Sequence, residues 1–138
     1  MTWAPLEAQK TIYTTLETDT SLRTLLGGAA KVFDHVPDNT AYPYVVISQM
    51  PFQDRGNHTS EGLQSEFQVT VWYRAPGRGN KGVQDIQKRI DELLHLQELC
   101  IDGWNTLLCR RSIIDILTDD DNVTKQGIQR FRLLLGEI

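Results

Sequence analysis

The sequence predicts one α+β domain with the element order α-β-β-β-α-β-β, in which a mainly antiparallel sheet carries two helices packed on one face. Two neighbouring stretches support this prediction. Apolar and polar residues alternate from Ser65 to Arg74, which is typical of a strand with one buried face. From Val83 to Leu94 the apolar residues recur every three or four positions, as they do in an amphipathic helix. Such a strand followed by such a helix is the basic packing unit of an α+β layer.

Residues 5–26 are predicted to be helical in two pieces. Pro5 suits a first helical turn, where its missing N–H is no loss. The capping residues from Thr18 to Ser21 can end one helix and begin the next. Gly27 and Gly28 then end the second piece, because glycine accepts the left-handed conformation of a helix stop.

The other elements follow from the same periodicities. Strands are expected at Lys31–His35, at the β-branched run Tyr44–Met50, which suits the interior of a sheet, and at Gln126–Leu135. The central helix is predicted to bury Val83, Ile86, Ile90 and Leu93. Its exposed side carries two opposite-charge pairs at a spacing of four residues, Asp85 with Arg89 and Lys88 with Glu92.

The predicted strand from Trp104 to Leu117 has no clearly polar side. By strict alternation, one side carries Leu108, Ile114 and Ile116 and the other carries Cys109, Ile113 and Leu117. Trp72 also stands on the polar side of its own strand. These apolar residues on a surface that should face water predict a subunit interface that includes Trp72 and Ile113.

The segment from Pro51 to Gly62 joins two strands and is about twice as long as a usual hairpin loop. It contains few large apolar residues, so we expect it to be unstructured and mobile in the free subunit and to become ordered on a partner. Phe52 is the predicted anchor of that contact. Arg55 and His58 are expected to supply polar contacts around it.

Composition sets limits on function. The chain has 138 residues, a net charge of −4 and a pI of about 5.3, which argue for one domain spanning residues 1–138 and against a dedicated nucleic-acid binder. No apolar run is long enough for a membrane helix, and the first residues do not resemble a secretory signal. Cys100 and Cys109 are expected to be reduced thiols.

No pattern in the sequence predicts catalysis, a bound metal or a cofactor. Asp119, Asp120 and Asp121 could face a hard cation, but they lack the calcium-loop pattern and are interpreted as a solvated turn. The three histidines are scattered, and no nucleophile–histidine pattern occurs. The sequence therefore favours a protein that is not an enzyme.

A basic, glycine-rich loop from Arg74 to Gly82 precedes the central helix. It lacks the phosphate-loop pattern and is interpreted as a strand-to-helix connection capped by Asn80. Arg74 and Arg78 are kept as candidates for contact with DNA phosphates or with the acidic residues of a partner.

The order of several short motifs resembles the tail-completion, or tail-terminator, proteins of long-tailed bacteriophages and gene transfer agents. The resemblance covers nearly the whole chain. The motifs are Leu22-Arg23-Thr24-Leu25-Leu26-Gly27-Gly28, Lys31-Val32-Phe33-Asp34-His35-Val36-Pro37, Tyr42-Pro43-Tyr44-Val45-Val46-Ile47, Val71-Trp72-Tyr73-Arg74 and Gly127-Ile128-Gln129-Arg130-Phe131-Arg132.

The resemblance implies a virion protein, assembled in the host bacterial cytoplasm, that forms a ring, commonly of six subunits, at the head-proximal end of the tail tube. The ring would stop tube polymerisation and offer a joining surface to the neck of the head. Its partners would be further copies of itself, the major tail-tube protein and the head-tail connector or neck proteins, and DNA would pass through the lumen without specific binding. The alternative is another neck component, such as a head-completion or connector protein. A metal-dependent enzyme or nucleic-acid-processing factor is the third reading.

Overall fold

In the computed structural model, a six-stranded sheet carries three helices on one face. The structure describes residues 3–49, 51–74, 79–121 and 123–138. In chain order the elements are α1 (Ala4–Glu17), α2 (Thr20–Leu25), β1 (Val32–Phe33), β2 (Tyr44–Gln49), β3 (Gln53–Asp54), β4 (Gly62–Arg74), α3 (Lys81–Leu94), β5 (Trp104–Thr118) and β6 (Thr124–Glu137).

The sheet confirms the predicted α+β class. Its strand order is β1-β2-β4-β6-β5, with the two-residue β3 paired to the start of β4. Among the described strands, only β1 and β2 run parallel, and every other pair is antiparallel. β4 and β6 pair along their whole lengths and form the centre of the sheet, whereas β5 forms one edge.

The first two helices form as the sequence predicts. α1 buries a stripe at every fourth residue, Ala4, Ala8, Ile12 and Leu16. Asp19 caps α2 by accepting a hydrogen bond from the Leu22 N–H at 2.8 Å. Gly27 and Gly28 have φ angles of +91° and +95°, and the Gly28 N–H donates to the Arg23 carbonyl at 2.7 Å. These two glycines therefore provide the left-handed stop.

α3 packs against the inner face of the sheet, which is the face that carries Phe67, Val69 and Val71. Val83, Ile86 and Ile90 are buried as predicted, while Leu93 is partly buried. Gly127 of β6 permits the close approach, because a Cβ atom there would lie 2.7 Å from Val83 Cγ1 and 2.8 Å from Gln87 Nε2. None of the described helices is both long enough and apolar enough to cross a bilayer.

The ion pairs of α3 differ from the sequence prediction. Arg89 turns toward α2, where its Nη2 lies 2.6 Å from Asp19 Oδ1, and its Nη1 lies 3.3 Å from Glu92. Asp85 pairs with Lys81 instead. The predicted i,i+4 pairs were therefore wrong, because Asp19 lies close to Arg89 in space and its carboxylate accepts two of the guanidinium's hydrogen bonds.

The faces of β5 differ from the sequence prediction because the strand contains two β-bulges. The register with β6 shifts between Thr106 and Leu108, and again between Arg111 and Ile113. Each extra residue inverts the alternation of side chains in the rest of the strand. Cys109, Ile114 and Ile116 therefore share the inner face, while Leu108, Ile113 and Leu117 share the outer face.

The segment from Pro51 to Gly62 is also more ordered than predicted. Gln53 and Asp54 pair with Gln64 and Leu63, so the segment is the first arm and turn of a hairpin with β4. Asn57 Oδ1 accepts hydrogen bonds from the N–H groups of both Thr59 and Ser60. The prediction missed the pairing of Gln53 and Asp54, because main-chain pairing and an Asx turn at Asn57 order parts of the segment without a large apolar contact.

Candidate assembly interface

The outer face of the sheet, which is opposite the helices, is the surface on which apolar and charged side chains meet solvent. The helices bury their apolar stripes on the inner side, so no described helix covers the outer one. Trp72 is half-buried there, between Tyr44 on β2 and Gln126 on β6. Ile113 lies opposite Arg130 and is 44% exposed. Both residues therefore lie on the face that the sequence predicted as an interface.

The free edge of the sheet is partly protected. The Leu96 N–H donates to the Cys109 carbonyl at 2.7 Å, and His95 Nδ1 accepts a hydrogen bond from the Arg111 N–H at 3.1 Å. Beyond Arg111, the edge strand carries exposed apolar side chains on both faces, namely Ile113, Ile114 and Leu117. An exposed edge of this kind is a surface on which another chain can pack.

Two arginines lie directly opposite each other on the outer face. Arg110 of β5 is the cross-strand partner of Arg132 of β6, and both side chains are exposed. Within the described ranges, no carboxylate oxygen lies within 4.0 Å of either guanidinium group. Like charges that face each other across two strands are destabilising, so this arginine pair costs the isolated subunit free energy.

Acidic side chains lie in the turn that connects β5 to β6. Asp121 serves the turn itself, since its carboxylate accepts hydrogen bonds from Thr124 and Val123, and these bonds lower the pKa of Asp121 to about 2. Asp119 accepts a hydrogen bond from the Asp120 N–H. The carboxylates of Asp119 and Asp120 are exposed, and neither has a cation within 4.0 Å among the residues described. We call residues 119–121 the acidic turn.

The predicted residues of the 51–62 segment lie at the other end of β4. Phe52 is half-buried and packs on the core beside a cleft shared with Trp3, Leu63 and Trp104. Arg55 Nε donates to Gln64 Oε1 at 2.9 Å, and its Nη2 donates to Gln53 Oε1 at 3.3 Å. His58 is exposed at the turn. These contacts hold Arg55 along the hairpin and leave His58 to face outward.

The predicted interface residues therefore form two groups. Trp72 and Arg74 lie toward the end of the sheet that carries the acidic turn, and Arg74 Nη2 is 3.9 Å from Asp121 Oδ2. Ile113 lies opposite Arg130, whose partner on β4 is Gln68 in the middle of that strand. Phe52, Arg55 and His58 lie near the start of β4, roughly 35–40 Å from Arg74 but only about 20 Å from Ile113 along extended strands. Arg78 lies outside the described residues. One contact surface cannot include all of them unless it spans the sheet.

A cleft between α3 and β5 holds two polar atoms without a described partner. Asp91 Oδ2 accepts a hydrogen bond from Arg111 Nη1 at 2.6 Å, but Asp91 Oδ1 has no partner among the described residues. Gln129 is fully buried and donates to the Gln87 carbonyl, while its Oε1 is likewise unpartnered in that part of the chain. The described residues contain no group of three metal-ligating side chains at this cleft or elsewhere.

Sequence reasoning missed the arginine pair and the cleft. Arg130 and Arg132 stand at alternate positions of one strand, so alternation alone puts them on one face, but their partners across the strand pair depend on the register with β5. That register includes two bulges, which no alternation pattern in β5 shows. The charge pattern alone could have indicated a basic strand face, but not two arginines facing each other.

Comparisons with known proteins agree with this architecture. A family model described as "Tail completion protein gp17" matches residues 10–136. The tail completion protein gp17 of Bacillus phage SPP1 is 29% identical over 139 residues, covering 99% of this chain and 98% of the relative. The solved structure of SPP1 gp17 superposes with a TM-score of 0.62 at 26% identity, covering 95% of this chain and 91% of the other.

A chain from the virion of a native gene transfer agent particle shares the fold more closely, with a TM-score of 0.85, coverage of 99% of both chains and 18% identity. At that identity the likeness concerns the fold. The family match covers most of the chain and carries the assignment. The chain belongs to the tail completion protein gp17 family and is a structural protein of the virion tail.

Proposed function

We propose that the chain forms a closed ring of six subunits at the head-proximal end of the tail tube, where it ends tube polymerisation and provides the joining surface for the head. Family membership supports the setting in the tail. The observation that favours self-assembly is the outer sheet face, where Trp72 and Ile113 remain partly open to solvent. In this proposal the protein acts by binding and not by catalysis.

Trp72 and Ile113 are the proposed apolar part of the contact between subunits. A closed ring is built from heterologous contacts, in which two different surfaces of the same chain meet. Replacing Trp72 or Ile113 with Glu places an unpaired charge in that contact. Either variant should shift the light-scattering mass toward that of the monomer.

The matched control is Leu25→Glu, because Leu25 is an exposed apolar residue of α2 on the opposite side of the sheet. This variant should keep the mass of the wild type. Circular dichroism shows whether each variant is folded. Folded Trp72→Glu and Ile113→Glu proteins of unchanged mass would contradict an interface on the outer face.

The 51–62 hairpin is the proposed contact with a neighbouring subunit or with the end of the tail tube, with Phe52 as anchor and Arg55 and His58 around it. Arg74 and Arg78 are proposed to contact partner carboxylates. Because Asp54 pairs with Leu63, residues 55–62 can be replaced by Asn-Gly as a two-residue hairpin turn. The shortened domain should fold, but particles that carry it should lose control of tail length or fail to join heads.

Electron microscopy of particles assembled with the shortened protein measures both outcomes. His58→Ala is the control for a role of this side chain alone. Tails of normal length on infectious or DNA-delivering particles would exclude residues 55–62, and with them Arg55 and His58, from the contact. Normal tail length combined with failed head joining would instead assign the hairpin to a neck contact, as expected for a head-completion or connector protein.

A further inference from the structure

The subunit leaves two opposite charges unneutralised in two separate places. The arginine pair of Arg110 and Arg132 has no carboxylate within ion-pair distance, although the chain as a whole has a net charge of −4. Glu66 lies opposite Arg132 on β4, but one carboxylate cannot balance two guanidinium groups. Arg130, on the same face, donates to Gln68 and adds a third positive charge.

The acidic turn carries unpaired negative charge, the opposite of the arginine pair. Asp121 is engaged within the turn, whereas Asp119 and Asp120 present their carboxylates to solvent. The lysine at this end of the hairpin, Lys125, donates to Thr118 Oγ1 at 2.9 Å and forms no ion pair with a described residue. Arg74 lies 3.9 Å from Asp121 Oδ2 and offsets that carboxylate, so, among the described residues, Asp119 and Asp120 form the unpaired negative surface of the turn.

The two surfaces cannot meet within one subunit. Eight residues of β5 lie between Arg110 and Asp119, so extended backbone places them roughly 30 Å apart. Two different and complementary surfaces on one chain are what a heterologous contact requires. We propose that the arginine pair of one subunit binds the acidic turn of the next copy of this chain, and this inference rests on the proposed ring.

The chemistry favours a second copy over nucleic acid as the occupant. Guanidinium groups bind carboxylates through paired hydrogen bonds, and two adjacent arginines match two adjacent aspartates. A DNA backbone would also approach Glu66 and Asp115, which lie on the same outer face and repel phosphates. The contact lies beside Ile113, so it borders the apolar surface of the proposed ring.

Two charge-reversed variants test the contact, Arg110→Glu/Arg132→Glu and Asp119→Lys/Asp120→Lys. Each variant alone faces like charges across the contact, so its self-association should weaken by roughly 10- to 100-fold. An equal mixture should recover the assembly, because the reversed pair of one variant then meets the reversed turn of the other and native contacts alternate with reversed ones. Mass photometry or light scattering measures the assembled fraction.

The control is Lys10→Glu/Lys88→Glu, which makes the same charge change at two exposed lysines on the helix side. It should assemble like the wild type. Raising the salt concentration from about 0.05 to 0.5 M should weaken the wild-type assembly and the rescued mixture alike. Fluorescence anisotropy with a labelled 20-base-pair DNA duplex tests the other occupant.

The outcomes distinguish failure of the contact between the arginine pair and the acidic turn from failure of the proposed ring. Rescue by mixing supports the contact between the arginine pair and the acidic turn. A wild type that assembles together with variants that also assemble would overturn the contact and leave the ring in place. Loss of DNA binding in the arginine variant, with normal assembly, would overturn it in favour of nucleic acid. A wild type that remains monomeric at every concentration would overturn both.

Discussion

The two faces of the sheet differ in whether their arginines have partners within the chain. On the inner face, Arg111 is paired with Asp91 of α3, and Gln87 donates to the Asp115 carbonyl. On the outer face, Arg110 has no described carboxylate beside it, although it is the immediate neighbour of Arg111. Arg111 and Gln87 thus find partners within the chain, whereas Arg110 finds no carboxylate within ion-pair distance among the described residues. This difference between the two faces is what favours the outer face as the surface of the proposed assembly.

The largest expected effect comes from truncating one isoleucine on the inner side of the sheet and one on the outer side. Ile90→Ala should lower the free energy of unfolding by about 2–5 kcal/mol, because Ile90 is fully buried and the truncation leaves a cavity. Ile113→Ala should cost at most about 1 kcal/mol, since its side chain already meets water. Urea unfolding at concentrations where the protein is monomeric measures both. Equal losses would contradict the assignment of the faces.

The two glycines of β6 sharpen the comparison. Gly127→Ala should destabilise the fold by about 1–3 kcal/mol, because the new methyl group meets Val83 and Gln87 on the inner face. Gly136→Ala is the matched change on the outer face, where the methyl group meets only the flexible and exposed side chain of Leu107. Thermal unfolding should therefore show a clear loss for Gly127→Ala and little change for Gly136→Ala.

Asp19 caps α2 and pairs with Arg89 of α3 on the inner side of the sheet. Its replacement should therefore lower the free energy of unfolding of the monomer. The hydrogen bond from Arg89 is the main cause that lowers the pKa of Asp19. Asp19→Ala removes both the cap of α2 and this ion pair, and should cost about 0.5–2 kcal/mol at pH 7. Asp38→Ala, at an exposed loop position, is the control.

The pH dependence follows from the direction of that shift. A carboxyl group whose pKa is lower in the folded state stabilises the fold above its unfolded pKa of about 4. The contribution is lost as the pH falls through the folded pKa. The difference between wild type and Asp19→Ala should therefore be full at pH 7 and shrink below about pH 4. If the difference in unfolding free energy between wild type and Asp19→Ala grew as the pH fell, that result would contradict the ion pair.

The smallest effect concerns the two thiols. Burial raises the pKa of the Cys109 thiol to about 12, because the inner face disfavours the thiolate. Cys100 is exposed. A thiol reagent at pH 8 should therefore modify one cysteine in the native protein and two after denaturation. Rapid modification of both in the native state would mean that Cys109 is not on the covered face.

Regular periodicity made most of this fold predictable from sequence. The stripe of α3 and the alternation of β4 follow directly from burial on one side, and both were predicted correctly. What failed depends on contacts between distant residues. The partner of Arg89 lies 70 residues away, and the bulges at β5 exist only relative to β6. Sequence alternation could assign Trp72 to the outer face, but the pairing of Arg110 with Arg132 required the register between β5 and β6.

The position of β6 in the sheet has a consequence for synthesis of the chain. β6 lies between β4 and β5, yet it leaves the ribosome after every other described element. About 50 residues separate the end of β4 from the start of β6, which correspond to roughly 3–10 s of translation. During that interval the edge of β4 that pairs with β6 has no partner, and β5, once it has been synthesised, lacks the same neighbour. Exposed strands are the species that chaperones bind, so the nascent chain should depend on such protection most strongly just before its central strand emerges.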